Sequence, residues 1–129
     1  MPAAARNNEV TLYSIGELCD EFEVTGRALR FYEDEGLLAP ERRGTARLYS
    51  ERDRARLAWI LRAKRVGFSL ATIREMLDLY DVGDQRRTQR QVTIARCKER
   101  IDALEEQRRD IDTTIAELCD FIALLDQKD

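Results

Sequence analysis

The feature that most constrains this chain is a stripe of apolar side chains that steps by alternate threes and fours through its last third. Ile94, Cys97, Ile101, Leu104, Arg108, Ile111, Ile115, Leu118, Ile122 and Leu125 fall on positions a and d of a heptad repeat, and nine of the ten are apolar or Cys. Thirty-two helical residues at 1.5 Å each span about 48 Å, far longer than a small head can cover. No second heptad tract of similar length exists in the chain to fold back on it. The stripe therefore predicts self-association, with those nine side chains as the dimerisation contacts. Arg108 is the one charged core position, of the kind that fixes register at a cost in stability. The pattern leaves strand direction open.

A chain of 129 residues has room for one small head beside such a helix, and hardly for two independent cores. With 36% charged and 43% hydrophobic residues, 6 Gly and 2 Pro, the composition suits a mostly α protein with amphipathic faces. No apolar run reaches the roughly 18 residues of a membrane span, and residues 1–8 lack the order of a secretory signal, so a cytoplasmic protein with no membrane partner is expected.

Histidine is absent, which removes His-based acid–base catalysis, Ser-His or Cys-His nucleophiles and His metal ligation. No clustered carboxylate site replaces it, so the chain is not read as an enzyme and no cofactor is implied. Cys19, Cys97 and Cys119 are odd in number and widely spaced with no CxxC pair, which favours reduced thiols over a disulfide framework or zinc site. Cys97 sits on the stripe and Cys119 beside it, so packing is preferred to thiol sensing for both.

The net charge of −3 conceals an uneven distribution. From Arg42 to Arg65 there are nine basic residues against two acidic ones, a local excess of seven positive charges. Nucleic-acid binding depends on such a patch and not on the total. A charge run alone is more often a solvated helix face, so the surrounding pattern decides.

Residues 1–10 have no periodicity and read as a mobile arm. Ser14-Ile15-Gly16-Glu17 is a capping box that opens a short helix carrying Ile15, Leu18, Cys19 and Phe22 inward. Thr25 can cap a second helix running toward Gly36, which makes a helix-turn-helix whose second helix suits the major groove. Glu41 to Tyr49, around Gly44, reads as a small hairpin, or wing. Ser50 and Ser69 each cap a further helix, the latter from Leu70 to about Tyr80. Residues 81–87 look like a joint. The organisation expected is an arm (1–10), a winged helix-turn-helix DNA-binding head (11–81), and a linker with a coiled-coil dimerisation helix (82–129). Leu29, Phe31, Trp59 and Phe68 are assigned to the core.

Arg30-Phe31-Tyr32-Glu33-Asp34-Glu35-Gly36-Leu37-Leu38-Ala39-Pro40, the Arg-Leu-Tyr wing, and Arg65-Val66-Gly67-Phe68-Ser69-Leu70 occur in that order before the heptads. Taken together, over residues 12–125, they resemble the MerR family of bacterial transcription regulators. The resemblance implies an antiparallel coiled-coil homodimer, nucleoid-associated, that bends and untwists promoter DNA for RNA polymerase. It points to Thr25, Arg27, Arg30 and Tyr32 on the groove-entering helix, with Tyr32 equally able to be a core aromatic. Arg43, Arg47 and Tyr49 in the wing, and Lys64, match the family's backbone contacts.

The family's metal sensors carry a cysteine where the stalk begins and others beyond its end. Here the first region reads Arg86-Arg87-Thr88-Gln89 and the chain stops at Asp129, so a non-metal signal is expected; no appended drug-binding domain is expected either. Residues 63–70 and 75–81 look like the subgroup that controls leucine, isovalerate and fatty-acid breakdown, which implies an acyl-CoA or related effector. The alternatives are an architectural DNA-bending protein or a coiled-coil adaptor whose head binds protein, in either case without effector response.

Overall fold

The computed structural model describes residues 11–79 and 86–127. The arm expected at 1–10 and most of the joint expected at 81–87 lie outside them. Helices take 73% of the described residues, and the chain divides into two units, Met1–Asp81 and Val82–Asp129.

In the first unit the elements run β1 (Leu12–Ser14), α1 (Ile15–Phe22), α2 (Gly26–Asp34), β2 (Glu41–Arg43), β3 (Ala46–Ser50), α3 (Glu51–Arg65) and α4 (Leu70–Asp78). Each helix begins at the hydroxyl read from the sequence. Ser14 Oγ accepts from the Glu17 amide at 3.0 Å while Glu17 Oε1 accepts from the Ser14 amide at 2.8 Å, so two otherwise orphaned donors are satisfied reciprocally. Ser50 and Asp53 repeat the arrangement at α3, and Ser69 Oγ accepts from the Thr72 amide at α4.

After α2 the chain reverses through Gly36, whose φ of 77° lies in the left-handed region open to glycine. The Gly36 and Leu37 amides then reach back to the carbonyls of Glu33 and Tyr32, both at 2.9 Å, which closes the helix end. At the wing tip Gly44, with φ of 63°, gives the two-residue loop between β2 and β3 the backbone twist that paired strands require.

The sheet has the order β1-β3-β2 and is antiparallel throughout. β2 and β3 form the expected wing, with Arg42 opposite Arg47. β1 was not foreseen as a strand. Three residues carry no readable period, and their pairing with β3, Tyr13 opposite Tyr49, bridges some 36 positions of sequence.

The core gathers Leu18 from α1, Leu29 and Tyr32 from α2, Leu37, Leu38, Tyr49, Leu57 and Ile60, and Ile73 and Leu77 from α4. Phe68 and Trp59 pack partly against it. Phe31 corrects the core assignment: it is 46% exposed. α2 turns Leu29 and Tyr32, three residues apart, inward, and a residue between them cannot share that face. The Phe31 ring instead lies edge-on to Tyr32, with centroids 5.7 Å apart.

The described residues of the second unit form one uninterrupted helix, α5 (Arg87–Asp126), of 40 residues. It begins seven positions before the first seam residue, Ile94, because the polar turns ahead of the stripe are helical too. Within this single chain Ile94, Ile101, Leu104, Ile111, Ile115, Leu118, Ile122 and Leu125 are all exposed. No helix among the described residues is long and apolar enough to cross a membrane.

Candidate nucleic-acid interface

α2 is amphipathic in a way that separates packing from display. Leu29 and Tyr32 go inward, while Arg27 and Arg30 are exposed. One turn apart, the two arginines share a face, and neither has an ion pair or side-chain hydrogen bond among the described residues. Arg30 folds back over Gly26, where an added Cβ would stand 3.2 Å from Arg30 Nη1. Thr25 heads the same helix, but its hydroxyl is engaged, since Oγ1 accepts from the Ala28 amide at 3.1 Å. Its first task is to fix where α2 starts.

The wing is tied to α2 by a carboxylate that sequence reading passed over. Glu33 accepts from Arg42 Nη2 through Oε2 at 2.5 Å and from Arg47 Nε through Oε1 at 2.7 Å. The Glu33 side chain is 16% exposed and that of Arg47 23%, so the pair is sheltered from full solvent screening. The hydrogen bond from Arg42 holds the Glu33 carboxyl below the ordinary range, Arg47 adds to the effect, and burial partly opposes both. The available signal was the acidic run Glu33-Asp34-Glu35 at the end of α2 ahead of a wing rich in arginine; which of the acids pairs depends on the hairpin register.

Arg43, further out on β2, is exposed and among the described residues bonds only Glu41 of the same strand, at 2.7 Å. Lys64, in the last turn of α3, is exposed, with its ammonium 5.9 Å from the centre of the Tyr32 ring. On the far side of the head Arg54 is committed to Glu21 and Glu51 and stacks over Tyr13, 5.5 Å from the ring centre. Thus the basic window does not present all its charge to one partner.

Two sequence-selected residues are placed elsewhere. Tyr49 is fully buried and Tyr32 is 2% exposed, so neither faces a duplex in this conformation. β3 sends Tyr49 inward because alternate residues of a strand take opposite faces, and Tyr32 lies one turn from Leu29 on the inner face of α2. Burial pushes the Tyr49 phenol up, and the Glu33 charge pushes it further.

The surface that remains is Arg27 and Arg30 on a helix, Arg43 and Arg47 on a hairpin beside it, and Lys64 at the end of α3. Guanidiniums and ammoniums on a helix narrow enough for a 12 Å groove, flanked by a cationic ribbon, are suited to base edges and phosphates. Among the described residues no group of three or more His, Cys, Asp or Glu is placed to hold a metal ion.

Comparison with known proteins agrees with that geometry. The family model described as the MerR HTH family regulatory protein matches residues 13–79, and a second, described as MerR, DNA binding, matches residues 54–121. The HTH-type transcriptional regulator ZntR of Escherichia coli (strain K12) is 36% identical over 109 residues, covering 83% of this chain and 71% of that protein. The mercuric resistance operon regulatory protein of Pseudomonas fluorescens is 30% identical over 122 residues, covering 93% of this chain and 76% of the relative. Among solved structures, HiNmlR, a MerR family regulator lacking the sensor domain and bound to promoter DNA, superposes with a TM-score of 0.53 at 26% identity. That match covers 92% of this chain and 83% of the other.

Proposed function

The chain belongs to the MerR family of DNA-binding transcription regulators, and from that membership we propose that it acts as a homodimer on promoter DNA, bending and untwisting the spacer in response to a non-metal signal. The observation that carries the reading is the division of labour on α2: Leu29 and Tyr32 anchor it in the core, so Arg27 and Arg30 are held out on a rigid element. Two such heads joined through α5 grip two half-sites of one duplex. Arg43, Arg47 and Lys64 hold phosphates and Arg27 and Arg30 read base edges, with Thr25 setting where their helix begins. Deforming the DNA costs on the order of 1–6 kcal/mol, which these contacts offset.

The exposed seam from Ile94 to Leu125 supports the dimer, since burying it removes a continuous apolar stripe from water. Placement of RNA polymerase on the realigned promoter is the output proposed.

The non-metal reading is supported by the start of the stalk, where the metal sensors of the family carry a cysteine and this chain reads Arg86-Arg87-Thr88-Gln89. Against it stands a relative named for mercuric resistance. An acyl-CoA or related metabolite as the effector rests only on the resemblance of residues 63–70 and 75–81; the similarities found above lend it no support.

Footprinting on the DNA upstream of the chain's own gene tests the function. A two-fold symmetric protected site is expected, and uniform binding to any duplex would remove sequence-specific regulation. Transcription from that promoter with added zinc, mercury or lead salts tests the signal: a metal response would overturn the non-metal reading and leave the DNA-binding one intact.

A further inference from the structure

The seam contains one charge, Arg108, and its surroundings on α5 say how a second copy meets it. Arg108 is 72% exposed in the single chain and lies 3.8 Å from Glu105, one turn earlier. Heptad lettering puts Arg108 at position a, with Glu105 and Asp112 at the flanking position e. In an antiparallel pair the a and e positions of both chains line the same edge of the seam.

Full overlap of the two stripes, which buries every apolar layer, sets Ile94 level with Leu125 of the partner subunit. Arg108 then lies level with Ile111 of the partner subunit, and the two-fold axis passes between Arg109 and Asp110. On the edge where Arg108 emerges, Glu105 stands across from Asp112 of the partner subunit, an acidic pair that repels if nothing lies between. Arg108 stands next to them on the same edge, one residue beyond Asp112 of the partner subunit and three beyond Glu105. Its height differs from that of the partner's Asp112 by one residue, about 1.5 Å along the axis, and the helices are about 8–10 Å apart, within the reach of an arginine.

From this juxtaposition, which rests on the homodimer proposed above, we propose that Arg108 forms an ion pair with Asp112 of the partner subunit, twice about the axis, and that this pair selects antiparallel assembly in full register. In a parallel pair the two Arg108 side chains would face each other at one height, beside Gln107 and without a carboxylate across the seam. Sliding an antiparallel pair by one heptad uncovers the outermost apolar layers. The charge costs core hydrophobicity and in return penalises the wrong partnerships.

Sedimentation equilibrium of the full chain tests the pair. Arg108→Asp and Asp112→Arg, each alone, are expected to raise the dimer dissociation constant by about tenfold or more, and the two together to return it to within about threefold of the original. Direction is read separately in a chain with Cys19, Cys97 and Cys119 changed to Ser. Mixing Ile94→Cys and Leu125→Cys chains and oxidising them with diamide should give the mixed 94–125 disulfide in preference to either like pair. A dimer indifferent to the single reversals, or not rescued by the double, overturns the ion pair, and 94–94 linkage overturns the direction. If the unaltered chain sediments as a monomer, the homodimer itself fails, a result that depends on neither substitution.

Discussion

Glu33 and Arg47 belong to different elements of the head, a helix and a hairpin, and Arg47 Nε donates to Glu33 Oε1 at 2.7 Å. With Arg42 on the other carboxylate oxygen, one acid holds two wing arginines against α2. The angle between α2 and the wing is thereby held, which would lower the ordering cost of any ligand that touches both. Replacing Glu33 by Gln should loosen the wing and free two guanidiniums. Affinity for random duplex is expected to rise severalfold at low salt, with a salt slope steeper by about 0.9 for the one added phosphate contact, Arg42, and discrimination in favour of the operator should narrow. Fluorescence anisotropy over a salt series measures both, and an unchanged slope with unchanged discrimination would show that the carboxylate does not restrain the wing.

The same tether makes a pH prediction. Because Arg42 and Arg47 lower the folded-state pKa of Glu33, the unfolded chain takes up that proton first as the solution is acidified. The stabilisation is complete above the ordinary carboxylate range and is lost as pH falls through the lowered folded-state value. A carboxyl-carbon NMR titration of Glu33 should give a midpoint below the usual glutamate value, moving upward in Arg42→Ala and Arg47→Ala variants. A midpoint that ignores both substitutions would detach the shift from the arginines.

Arg27 and Arg30 should behave differently from Lys64 and Arg43. A guanidinium on α2 that reads a guanine edge contributes about 1–3 kcal/mol of discrimination at one position, so Arg27→Ala or Arg30→Ala should weaken operator binding and relax preference at a single base pair. Lys64→Ala and Arg43→Ala should instead weaken binding evenly across sequences and reduce the salt slope by about 1 each. Binding to a panel of single-substitution operators separates the patterns. Even losses for all four would assign the α2 arginines to phosphate.

Tyr49 lies wholly inside the head, and its hydroxyl has no hydrogen-bond partner among the described residues. An unsatisfied buried hydroxyl carries a desolvation cost that phenylalanine avoids with the same ring packing. Tyr49→Phe should therefore leave operator affinity unchanged and stability unchanged or raised by up to about 1 kcal/mol. A marked loss of affinity with normal stability would return Tyr49 to the DNA-facing surface.

Much of this head could be read from the chain because its signals are local. The serine or threonine caps at Ser14, Thr25, Ser50 and Ser69 and the glycine at Gly36 each act within one or two turns, and each stands where the sequence put it. What escaped depends on distant partners. β1 needs β3 before it is a strand, and Glu33 needs the hairpin register before it meets Arg47. Tyr49 was selected for its place in a family motif, whereas strand alternation decides which way it points.

Asp53 shows how one buried carboxylate holds the site's scaffold. It is 3% exposed; Oδ2 accepts from the Ser50 amide at 3.2 Å to complete the α3 cap, and Oδ1 accepts from the Ala39 amide at 3.1 Å. That second bond ties the loop after α2 to the start of α3, and so links α2 to the helix that carries Lys64. Asp53→Ala leaves the Ser50 Oγ cap in place but removes the acceptor of the Ser50 amide, worth about 1 kcal/mol, and strands the Ala39 donor at about 1–3 kcal/mol more. A loss of about 2–4 kcal/mol is expected, seen as a lower urea midpoint with an unchanged slope. Asp53→Asn keeps one acceptor oxygen and should fall between. Since Asp53 does not face the duplex, base preference at temperatures where the head stays folded should be retained; altered preference in the folded variant would mean that the carboxylate also sets the pose of α2.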